Sequence, residues 1–153
     1  MALTWLLVIL AVWGTYYLFW GRYLYVVTAY CNCPICINQT AYQDGRFANG
    51  KRVFWGGAAA DPSVHFGTKI TLVPHAPQDM GAIITLLRGR HKFIVTDRGG
   101  KIKGRHIDLF ISDKLGGHKT ARKWGVRHMR IKLNGKLAEY TGFFPSPFFK
   151  GDG

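Results

Sequence analysis

Acidic residues are scarce in this chain. Its 153 residues include eight Asp and Glu against 21 Lys and Arg, a formal charge of +13. Such a balance disfavours cationic partners and favours polyanions: nucleic acid, anionic lipid or an anionic cell-wall polymer. The cations are spread over residues 46–136 rather than gathered in one run, a distribution that an ordinary solvated basic surface also has. No helix-turn-helix, zinc-finger or RNA-binding signature is present, so nucleic acid is not expected as a partner. Cysteine is confined to three residues, Cys31, Cys33 and Cys36. There is no internal repeat and no long linker. A hydrophobic fraction of 48% excludes a disordered chain, and the length suffices for one domain with a core.

Charge is also missing from the N-terminus. Ala2 to Trp20 (ALTWLLVILAVWGTYYLFW) carries none, and no Lys or Arg precedes Arg22. At about 1.5 Å per helical residue this stretch nearly crosses a bilayer core. Trp5, Trp13, Tyr16, Tyr17 and Trp20 suit interfacial anchoring. A cleaved signal peptide would want a cationic start and small residues at the cut, whereas Tyr, Phe and Trp follow the apolar core. Residues 1–22 are therefore read as an uncleaved signal anchor spanning the membrane through residues 2–20. Cleavage and a buried core helix are the rival readings. Arg22 pulls the following chain toward the cytoplasm, although long domains translocate largely regardless of charge.

Beyond Arg22 the pattern is β-rich. Tyr23–Tyr30, Val53–Ala60, Thr68–Val73, Ala82–Leu87, Lys92–Thr96, His106–Ile111 and Val126–Leu133 read as strands separated by Gly, Pro, Asp and Asn. His118–Trp124 alone reads as a helix, with Gly125 as its stop. Many short strands and one short helix point to a small closed barrel over residues 23–139. The tail, 140–153, contains FFPSPFF, which suits packing on the barrel or on a membrane surface.

Phe93–Phe110 (FIVTDRGGKIKGRHIDLF) is the most informative stretch. Asp97 and Asp108 flank a loop of glycines and cations, and each sits beside an apolar strand. A desolvated carboxylate is a poor choice for stability, while a pair of them can carry acid/base chemistry. By strand alternation Asp108 and Phe110 share a face opposite Ile107, Leu109 and Ile111. That placement fits a carboxylate in a groove beside an aromatic, and also a plain surface Asp.

In family order, Val27-Thr28-Ala29-Tyr30, GGAAADPSVHFGTKITL with Asp61, the Asp97–Asp108 stretch and ARKWGVRHMRIKL resemble the 3D (Asp-Asp-Asp) domain family. The resemblance covers residues 26–133. It implies a mainly β fold: a six-stranded double-psi β-barrel with one short helix, here behind an N-terminal transmembrane helix. It is similar to the catalytic barrel of membrane-bound lytic transglycosylases and, more distantly, to rare lipoprotein A and family-45 endoglucanases.

The resemblance further implies a peptidoglycan lytic transglycosylase without a cofactor. It would cleave the MurNAc-β-1,4-GlcNAc bond to leave 1,6-anhydro-MurNAc, with Asp108 as single acid/base and Asp97 as its catalytic neighbour. Asp61 matches the first aspartate, and Thr28 and Tyr30 match the strand lining the substrate groove. Asp61 also reads as a turn cap before Pro62. Lys103 and His106 are candidates for contacting substrate carboxylates, or solvated loop residues. Two departures stand out. Phe47-Ala48-Asn49-Gly50 replaces a hydroxyl-bearing segment, and Arg98 adds a cation that favours an ionised Asp97. Peptidoglycan strands and the membrane are the expected partners, with the domain outside the cytoplasm in a host or phage context.

Cys31, Cys33 and Cys36 form a CxCxxC cluster. A disulfide leaving one thiol over, a zinc site completed by a histidine, and a loop-shaping role inherited from the resembled family all remain open. Rival functions are a non-catalytic glycan-binding barrel, an endoglucanase-like hydrolase and a membrane-anchored nucleic-acid binder. The segment near Asn32 lacks the early aspartate that the hydrolase would need.

Overall fold

In a computed structural model of the chain, the described residues are Trp5, Ile9, Val12, 24–37 and 45–138. Apart from those first three positions the expected anchor lies outside the described residues, as does the aromatic tail. Among the described residues no helix is long and apolar enough to cross a membrane.

The elements run β1 (Leu24–Tyr30), β2 (Gly57–Ala60), β3 (Lys69–Val73), α1 (Pro77–Leu86), β4 (Lys92–Asp97), β5 (His106–Phe110), a 3-10 turn (Asp113–Leu115), α2 (Gly117–Trp124), β6 (Arg127–Leu133) and β7 (Lys136–Leu137). Strands pair in the order β1-β5-β2-β4-β3-β6, and β6 returns to pair with β1. The sheet is thus a closed six-stranded barrel, which leaves no long free edge. β7 adds a hairpin to β6 through Asn134-Gly135, both at positive φ, as a tight Asn-Gly turn requires. The β1/β5 and β2/β4 pairs are parallel and the rest antiparallel.

Alternation fills the barrel. Val27, Ile70, Leu72, Phe93, Val95, Ile107, Leu109, Met129 and Ile131 are buried in one core cluster. Trp124 of α2 joins it and donates its indole N–H to the Val27 carbonyl at 3.1 Å, which gives the buried ring both apolar contact and a partner.

The expectation of a strand at Ala82–Leu87 and of one helix is corrected. That run lies largely in α1, so the described residues hold two α-helices. AIITLL is apolar and β-branched, and periodicity alone cannot type such a short run. The deciding signals stand upstream. Pro77 opens the first turn, and Asp79 accepts from the Ala76 N–H at 3.2 Å, satisfying a donor that a helix start leaves free. Asp79 also pairs with Arg127 at 3.1 Å, tying α1 to the start of β6.

Gly57 is a packing requirement. A Cβ there would lie 2.4 Å from Phe47 Cζ and 2.7 Å from Thr96 Oγ1. Gly57→Ala is therefore expected to destabilise the fold by about 2 kcal/mol, read as a fall in thermal midpoint. An unchanged midpoint would show that Phe47 yields freely.

Candidate active site

One row of residues crosses four neighbouring strands. Thr28 of β1 pairs with Asp108 of β5, Asp108 with Ala59 of β2, and Ala59 with Asp97 of β4. The last pairing depends on a bulge: Ala58 pairs with Val95, so Thr96 is the extra residue. A bulge re-aims the side chains beyond it, and here Asp97 takes the position opposite Ala59. Ile107 and Leu109 point into the core, while His106 and Asp108 are only half buried, in keeping with the alternation expected for this strand.

The two aspartates differ in their surroundings. Asp97 is 5% exposed. Its Oδ1 accepts from the Ala48 and Arg98 backbone N–H groups, both at 2.9 Å, and its Oδ2 accepts from the Tyr30 hydroxyl. Three donors thus converge on this one carboxylate and fix its orientation. Asp108 accepts from the Thr28 hydroxyl at 2.7 Å. Burial lifts its pKa from the ordinary 3.8 to about 6, with the charge of Asp97 adding to the rise and the Thr28 hydrogen bond opposing it. The two carboxyls thus differ in surroundings, Asp97 ringed by three donors and Asp108 lifted by burial with a single hydroxyl donor.

Thr28 has a second neighbour, since its Oγ1 lies 2.8 Å from His106 Nε2. One hydroxyl proton serves one acceptor. With Asp108 ionised, Thr28 donates to it and Nε2–H donates to Thr28. With Asp108 protonated, the chain can reverse: Asp108 donates to Thr28, and Thr28 to a bare Nε2. Burial lowers the pKa of His106 against a hydrogen bond to the Lys101 backbone, so the neutral ring that the reversed chain needs is favoured. This link joins residues 78 apart in sequence, and no local spacing in the chain signals it.

The other expected residues fall around this pair. Arg98 does not send its guanidinium to the Asp97 carboxylate. It bonds the carbonyls of Val64 at 2.7 Å and Asp97 at 3.1 Å and stands over the Phe66 ring at 4.0 Å. Its backbone N–H is what reaches Asp97. Asp61 caps its turn through the Ser63 N–H at 2.8 Å and also accepts from the Gly104 N–H at 2.7 Å. Burial raises its pKa, but these hydrogen bonds outweigh it and the net shift is downward. Asp61 therefore pins the glycine and cation loop on which Lys103 is exposed. Phe47, the departure noted at 47–50, is buried under the site. Its ring meets Phe110 edge-on at 5.3 Å, and Phe110 meets Tyr30 at 5.5 Å. The backbone N–H of the neighbouring Ala48 reaches Asp97 directly.

The model of the 3D domain matches residues 57–133. The chain belongs to the 3D domain family. Asp61, Asp97, Lys103, His106 and Asp108 fall inside the matched segment, whereas Thr28, Tyr30, Phe47 and the cysteines precede it. No curated protein matches the chain significantly. Among solved structures, the chain is similar to E. coli MltA (18% identity, TM-score 0.38) and to E. coli MltA with bound chitohexaose (19% identity, TM-score 0.41). Each alignment covers 65% of this chain and 29% of the other, so the 3D domain protein spans under a third of those chains.

Proposed function

We propose that this 3D domain protein is a peptidoglycan lytic transglycosylase. The observation that carries the reading is the divided aspartate pair: a partly buried carboxyl lifted to about 6 at Asp108, beside Asp97 held by three hydrogen-bond donors. In the proposed reaction protonated Asp108 gives its proton to the glycosidic oxygen between MurNAc and GlcNAc, and the C1–O bond breaks. Asp97 stabilises the positive charge that develops at C1. The muramyl 6-hydroxyl then bonds to C1, and its proton returns to Asp108. The nucleophile belongs to the substrate, so a single acid/base suffices, whereas hydrolytic glycosidases commonly use two carboxylates. The Thr28–His106 chain orients the Asp108 proton. Lys103, exposed on the loop pinned by Asp61, is available to meet substrate carboxylates.

The +13 charge suits an anionic wall polymer. We read the barrel, with its two parallel strand pairs, as double-psi. The N-terminal segment is proposed as a membrane anchor that leaves the barrel outside the cytoplasm. Trp5, Ile9 and Val12, at the spacing of one helical face, are 68%, 51% and 60% exposed, which suits lipid better than water.

Digestion of peptidoglycan in 18O-labelled water tests the reaction. The expected products carry 1,6-anhydro ends and no label, while labelled reducing ends would make the protein a hydrolase. Asp108 must begin protonated, so kcat/KM is expected to fall as pH rises through about 6. Thr28→Val removes the hydrogen bond that holds this pKa down and should move that limb to higher pH. A limb that stays in place in the variant would separate Thr28 from the proton carrier.

A further inference from the structure

We propose that the cysteine loop is a mononuclear zinc site completed by His118. Cys31 directly follows β1, and the turn Cys33–Cys36 folds back so that the Cys36 and Ile37 N–H groups both meet the Cys33 carbonyl at 3.0 Å. This brings the Cys31 and Cys33 sulfurs to 3.0 Å and those of Cys31 and Cys36 to 3.4 Å. His118, 82 residues beyond Cys36 in the first turn of α2, places Nδ1 3.3 Å from the Cys36 sulfur and 3.6 Å from that of Cys33. All four ligand atoms lie within 4.8 Å of one another.

A tetrahedron with Zn–S of about 2.3 Å has edges of about 3.8 Å. The observed set is near that size, with the Cys31–Cys33 and Cys31–Cys36 edges shorter, at 3.0 and 3.4 Å, and every edge within 4.8 Å. It is too small to enclose a two-iron cluster with ligands on opposite irons. Three thiolates and one imidazole suit zinc, whereas carboxylate sets suit magnesium or calcium. A disulfide would need about 2.05 Å between two sulfurs. It would also leave the third thiol and the His118 ring converging on the same point without purpose. With four protein ligands no position is open, so the site is structural rather than catalytic.

Its place in the fold gives it a task. The metal would clamp the end of β1 to the start of α2, immediately after Thr28 and Tyr30, the two β1 residues that hold Asp108 and Asp97. Metal binding would therefore stabilise the fold and fix the strand on which both aspartates depend.

The test uses the full chain in detergent, purified with reductant, dialysed free of metal and offered Zn(II). The expected result is about one zinc per chain by elemental mass spectrometry and a thermal midpoint that rises with zinc. Co(II) should give the thiolate charge-transfer and intense d–d bands of a tetrahedral site. Cys33→Ser and His118→Ala should each lower affinity at least about 10-fold, while His91→Ala, at an exposed position far along the chain, should leave it unchanged. Should Cys33→Ser not fold, His118→Ala alone decides, since half-buried His118 lies at a helix start. The proposal is overturned if the reduced chain takes up no zinc, if His118→Ala binds it as tightly as the parent, or if thiol counting shows a disulfide that reductant and zinc together do not replace.

Discussion

Asp108→Asn is expected to abolish glycan cleavage, by about 10³-fold or more, while making the protein more stable at neutral pH. The sign follows from linkage. The folded pKa of Asp108 is raised from 3.8 to about 6, so the fold favours the protonated carboxyl. The stability this supplies is fully present below about pH 3.8 and is lost as pH rises through 6. Above that pH the ionised carboxylate costs up to about 3 kcal/mol in place, and the neutral amide of Asn removes that cost while still accepting from Thr28. The expected gain in thermal midpoint is therefore near zero at pH 4 and largest above pH 7. A variant that loses activity and stability together at pH 7.5 would contradict this account.

Asp97→Asn should have the opposite effect on stability. Two backbone N–H groups and a tyrosine hydroxyl are aimed at this carboxylate. An amide can keep its oxygen on the two backbone N–H groups and donate to the Tyr30 oxygen, but the Tyr30 hydroxyl proton then loses its carboxylate acceptor. Leaving a buried donor unsatisfied costs about 1–3 kcal/mol, and the expected loss of stability is of that size. Cleavage should fall by about 100-fold, because the anion that stabilises positive charge is gone. The readouts are a denaturation midpoint and a rate of muropeptide release, each compared with Asp108→Asn. If both variants shift stability in the same direction, the two carboxyls are not divided as described.

Much of this site is legible in the sequence because its parts are local. Alternation within HIDLF places Asp108 beside Phe110 and away from Ile107 and Leu109. The Gly and cation run between Asp97 and Asp108 marks the loop that joins their strands. What is not legible depends on strand order. The parallel pairing of β1 with β5 brings Thr28 to Asp108 and His106, and no spacing along the chain announces a partner 78 or 80 residues away. The bulge at Thr96 is equally silent, since an extra residue in one strand is defined only by its neighbour. Arg98 is another such case. Adjacency in sequence puts a cation beside Asp97, and only the fold shows that the guanidinium goes to carbonyl oxygens and an aromatic face. His118 completes the cysteine cluster from a helix far along the chain. Ala82–Leu87 reads as a strand by composition and folds as a helix, because Pro77 and Asp79 start it outside the window that composition describes.

The proposed proton carrier is Asp108, poised near neutral pH by burial beside Asp97. The most direct test of this role is a carboxyl 13C NMR titration of the full chain, with Asp108→Asn used to assign the resonance. A midpoint near pH 6 for Asp108, moving upward in Thr28→Val, is the predicted result. A midpoint near the ordinary 3.8, unmoved by the Thr28 substitution, would contradict it.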